Sequence, residues 1–74
     1  MQIKEKTQYE IIKDLHYIDI LRIIVSSTAE EKNKYLENAF NRLNFSLKIA
    51  AINEFQYNYL INELYKADNL YKKN

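Results

Sequence analysis

Apolar residues recur along this chain in three blocks, at spacings of three and four, which is the period of helices packed through one face. In the first block Ile11, Leu15, Ile18 and Val25 share one side of a helix, with Ile12 beside them. Beyond Tyr17 the block turns apolar nearly all round through Ile20, Leu21, Ile23 and Ile24, as in a helix that is central to its domain or held between two copies. The β-branched run there could also be read as a strand, but no other segment offers it a strand to pair with. The second block alternates spacings of four and three through Leu36, Phe40, Leu43, Leu47 and Ala50, and a second line of Tyr35, Ala39, Phe45, Ile49 and Ile52 widens its apolar surface. In the third, Tyr57, Leu60, Ile61, Leu64, Ala67 and Tyr71 fall together. The pattern predicts helices over about 8–26, 29–51 and 54–72, each burying the stripe named first.

Each predicted start carries its own signal. A side-chain oxygen followed three positions later by Glu or Gln can satisfy two backbone N–H groups that a helix leaves unpaired, and this occurs at Thr7/Glu10, Thr28/Glu31 and Asn53/Gln56. Ile52 before the third cap and Tyr57 just inside the helix fit a hydrophobic staple, which would set a sharp angle between the last two helices. Ordinary usage would place about nine Gly and Pro residues in a chain of this length, and there are none. Asn, Lys, Ile, Tyr and Phe supply just over half of the residues, and their A/T-rich codons suggest an AT-rich source such as a low-GC bacterium, its phages or its plasmids. That bias weakens the argument from missing glycine, so capping and periodicity carry the assignment. The expected fold is all-α: a single domain over residues 1–74, a three-helix bundle near the size at which burial barely exceeds chain entropy, and completed by homodimerisation.

Charge and residue chemistry narrow the functional classes. A formal net charge of +1 and only two arginines, Arg22 and Arg42, do not suit a reader of nucleic acid. A helix-turn-helix through Ile52-Asn53 would start its recognition helix with Glu54 and keep its basic residues at the far end. The absence of cysteine excludes disulfides and thiolate metal sites, and the absence of glycine excludes a glycine-rich phosphate loop. His16, with Asp14 and Asp19 nearby, reads as a surface histidine because no further ligand stands at metal-binding spacing. Glu30 and Glu31 belong to the first turn of a helix, where acidic residues complement the dipole. With no nucleophile beside a base, catalysis is not expected, and no cofactor or metal is expected either. Residues 1–7 lack the apolar run of a secretory signal, and Ile18–Val25 is too short and too often charged to span a membrane, so a cytoplasmic location is expected.

The seven tyrosines are the most suggestive feature, because a rigid apolar ring ending in a hydroxyl suits an interface. Tyr9, Tyr59 and Tyr65 lie off the apolar stripes and are the candidate partner contacts; Ile20, Ile24 and Leu21 are the candidate dimer interface. The stretch from Phe55-Gln56 through Leu60-Ile61 to Leu64, with the small size and the capped helices, resembles the C-terminal helix of small bacteriocin immunity proteins. That resemblance implies a cytoplasmic four-helix bundle whose C-terminal tail helps specify the bacteriocin, whereas three helices are expected here. The leading expectation is a non-enzymatic helical protein that binds another protein to inhibit or regulate it, in the manner of phage and plasmid accessory proteins. An immunity protein and a small DNA-binding regulator are the alternatives.

Overall fold

A computed structural model describes residues 6–73 and shows an all-α bundle in which each helix packs against both others. Helix α1 spans Gln8–Ile24, α2 spans Ala29–Lys48 and α3 spans Glu54–Lys73. The chain forms these elements for the reasons legible at their starts. Thr7 caps α1 with the full reciprocal pair, its hydroxyl accepting from the Glu10 N–H while the Glu10 carboxylate accepts from the Thr7 N–H. Asn53 and Gln56 do the same for α3, at 2.8 and 2.9 Å. Thr28 accepts from the Glu31 N–H at 3.1 Å, one half of such a pair.

The corner after α2 is tighter than the periodicity suggests. The helix ends at Lys48, and Ala50 adopts φ 59°, the left-handed conformation that usually calls for glycine. The Ala50 N–H donates to the Leu47 carbonyl and the Ala51 N–H to the Ser46 carbonyl, so the exposed helix end is closed by a Schellman motif built on alanine. Ala50 is therefore a corner residue rather than part of the apolar stripe, and Ile52 turns back into the core.

The core consists of Ile23, Ala39, Leu43, Ile52, Leu60, Leu64 and Ala67, flanked by Leu36, Phe40, Leu47, Tyr57 and Ile61. Helices α2 and α3 bury the faces their patterns predict, including the Ile52 and Tyr57 pair at the corner. Helix α1 does not. Ile11, Leu15, Ile18 and Val25 are exposed, and the face turned inward runs Tyr9, Ile12, His16, Asp19, Ile23 and Ser26. Both series keep the same alternation of three and four residues and stand one residue apart, so choosing between them rotates the helix by about 100°. Hydrophobicity alone favours the series that is outside.

Polar partners decide the matter. Asp19, only 3% exposed, receives a hydrogen bond from the Arg42 guanidinium at 2.6 Å, which ties α1 to α2 from within. Ser26 satisfies its hydroxyl on the Arg22 carbonyl at 2.6 Å, as Ser46 does on Arg42 at 2.8 Å. Nearer the start of α2 the buried Lys32 ammonium donates to Asp68 at 2.7 Å and lies 5.5 Å from the Tyr71 ring centroid, fastening the end of α3. The radius of gyration is 13.4 Å, against about 11 Å for a compact domain of this length.

Candidate interaction surface

The outer face of α1 leaves Ile11, Leu15, Ile18, Leu21 and Val25 exposed. Measured around the helix from Ile18, Ile11 and Val25 stand within about 20° of it, Asp14 and Arg22 about 40° away, and Leu15 and Leu21 about 60° away. The arc is thus about 120° wide, apolar at its middle and along both edges, with one acidic and one basic residue set into it. Val25 is 73% exposed and the others between 41% and 49%. The Lys6 ammonium meets the Asp14 carboxylate, and the Arg22 guanidinium lies 5.9 Å from the centroid of the Tyr35 ring, so both charges are held near the arc. Tyr17, also exposed, lies just beyond its edge.

A second exposed face belongs to α3. Phe55 is 83% exposed and Tyr59 follows one turn later, while Asn58, Asn62, Lys66 and Asn69 fill the same side and Leu70 closes it. Exposed aromatic rings such as these are enriched at protein contact surfaces, whereas lysine is not. Across the corner Phe45 and Ile49, one turn apart on α2, are exposed as well.

Of the residues singled out from sequence, Tyr59 and Tyr65 are exposed, although the Tyr65 ring leans on Phe40 with centroids 6.0 Å apart. Tyr9 is half-buried against the core, which takes it out of an outward-facing contact surface. Ile20 and Ile24 are likewise packed against the core, because the inward rotation of α1 carries them with Ile23; Leu21 alone of that trio faces outward. The exposure of Phe55 had no signal in the sequence, because it opens its helix and matches no stripe.

His16 is not the surface histidine its neighbours suggest. It is 3% exposed, its Nε2 has no hydrogen-bond partner, and burial pushes its pKa below the ordinary value of 6.5 despite the Leu60 carbonyl and the Asp19 and Glu63 carboxylates, which act the other way. Among the described residues no three His, Cys, Asp or Glu side chains converge as a metal site would require. None of the helices described is long and apolar enough to cross a membrane. The chain matches no family model, no curated protein and no solved structure.

Proposed function

We propose that this chain is a non-enzymatic helical module that binds another protein to inhibit or regulate it, as accessory proteins of phages and plasmids do, and that it works in the cytoplasm as a homodimer. One observation carries the reading: α1 buries a histidine and an aspartate while leaving Ile11, Leu15, Ile18, Leu21 and Val25 in water. Such an inversion is unfavourable for an isolated chain, since covering the exposed half of each of those side chains would gain on the order of 1 kcal/mol. Contiguous apolar surface of this kind marks sites of contact with other proteins. The partner itself is assigned to α3, where Phe55 and Tyr59 offer large rings on a face rich in amides.

The test is affinity capture from lysate of an AT-rich bacterial host, comparing the wild-type chain with Phe55→Ala/Tyr59→Ala. A protein retained by the first and lost with the second, then reconstituted from purified components, supports the reading. Rescue of bacteriocin-sensitive cells by the expressed chain, or affinity for DNA that falls steeply with salt, would replace it with one of the alternatives.

A further inference from the structure

The outer arc of α1 has an order that mere exposure does not require. Counting outward from Ile18 in both directions, Leu15 is matched by Leu21, Asp14 by Arg22, and Ile11 by Val25. Each pair is equidistant from residue 18, so a second α1 laid antiparallel, with a two-fold axis at Ile18, brings like apolar residues level and unlike charges level. We infer that the occupant of this face is a second copy of the same chain, joined through an antiparallel α1–α1 contact centred on Ile18; this deepens the homodimer in the reading above by assigning its surface and register.

Three features of the arc support that occupant. In the antiparallel register Ile18 meets its own counterpart and Ile11 meets Val25 along the middle of the seam, while Leu15 and Leu21 come level with each other on its two edges. Asp14 of each copy comes level with Arg22 of the other, two symmetric opposite-charge pairs; a parallel arrangement would put Asp14 against Asp14 and Arg22 against Arg22. Seven residues a side make this at most one of the smallest specific interfaces, which bury about 1,200 Å² in all. Neither charge is tied up deeply within its own chain: the Lys6–Asp14 contact is exposed on both sides, and Arg22 is exposed over the Tyr35 ring.

Because the chain has no cysteine, single-cysteine variants report the register without interference. Sedimentation equilibrium first establishes the dimer at concentrations of about 10–100 μM, the range expected for so small an interface. Under mild oxidation Ile18→Cys is expected to form a disulfide-linked dimer nearly completely, since the two-fold axis places residue 18 opposite itself. Asp14→Cys is expected to stay unlinked, because its two copies lie eight residues apart along the paired helices, about 12 Å. Asp14→Arg and Arg22→Asp are each expected to weaken association about tenfold, and their combination to restore it to within about threefold of wild type. All three positions are exposed, and circular dichroism on each variant checks that the helices persist.

A monomer throughout that range overturns self-association itself. A dimer in which residue 14 links, or residue 18 does not, overturns this register while leaving self-association through another face. Charge reversals that act additively, with no rescue in the pair, also overturn it. Binding of the regulated protein is read separately through Phe55 and Tyr59 on α3, so either result can stand without the other.

Discussion

Arg42 of α2 reaches across to place a guanidinium nitrogen 2.6 Å from the Asp19 carboxylate of α1, and the aspartate side chain is almost wholly enclosed while the arginine stays partly in solvent. The asymmetry fixes which partner suffers when the pair is broken. Arg42→Ala leaves a carboxylate buried with no counter-charge and is expected to cost about 2–3 kcal/mol, below the roughly 3–5 kcal/mol of a fully buried pair because solvent can reach the site through the vacated arginine. Urea denaturation measures it; a loss under about 0.5 kcal/mol would mean the pair does not hold α1 in place.

His16 makes stability depend on pH in a definite direction. Its folded-state pKa lies below 6.5 because burial opposes the charged form, so the unfolded chain takes up a proton at mildly acid pH that the folded chain does not. The resulting stability is fully present above about pH 7.5 and declines as pH falls through 6.5 toward the depressed value. Denaturation midpoints at pH 7.5 and 5.5 should differ accordingly for the wild-type chain, and His16→Gln should remove most of the difference. An equal pH response in both proteins would assign the effect to other groups.

The corner at Ala50 offers a stabilising change. A Cβ at φ 59° crowds the neighbouring carbonyl, and glycine relieves it, so Ala50→Gly is expected to raise stability by roughly 1 kcal/mol even though it loosens the unfolded chain. Thermal unfolding decides this: an unchanged or lowered midpoint would show that the Schellman closure tolerates alanine without strain.

The one-sided cap of α2 separates two residues that the sequence presents as a unit. Thr28→Ala removes the acceptor for the Glu31 N–H and should cost about 1 kcal/mol. Glu31→Ala removes only the dipole contribution of an acidic side chain, a few tenths of a kcal/mol. At the start of α3, by contrast, Gln56→Ala should cost more than Glu31→Ala, since the Gln56 amide oxygen accepts from the Asn53 N–H. Equal losses for Glu31→Ala and Gln56→Ala in chemical denaturation would contradict that distinction.

Much of this architecture was legible because local signals agreed. Three caps located three starts, and the apolar stripes of α2 and α3, led by Leu43, Leu60 and Leu64, pointed to the faces that are buried. The orientation of α1 was not legible, because a reading by hydrophobicity ranks His16 and Asp19 as surface residues, and only the position of Arg42 in the assembled bundle makes the aspartate an acceptable core residue. For the same reason the exposure of Ile11, Leu15, Ile18 and Val25 was not legible, since their stripe reads as the buried face. Ala50 failed for a different reason: with no glycine in the chain, nothing in its neighbourhood announces a left-handed residue. Tyr59 and Tyr65, offset from the α3 stripe, are exposed, whereas Tyr9, also off its stripe, packs against the core.

The two series on α1, one residue apart, leave the sequence close to degenerate between two rotations of the same helix. Apolar transfer by itself would roll Ile11, Leu15 and Ile18 inward and release His16 to water. The Asp19–Arg42 pair therefore supplies uniqueness more than strength: it selects a single rotamer of the whole helix, where a purely aliphatic interior would admit both. Replacing the pair by leucines should accordingly leave the helices intact and the protein no less resistant to urea, while the NMR resonances of α1 broaden or double as the helix samples both rotations.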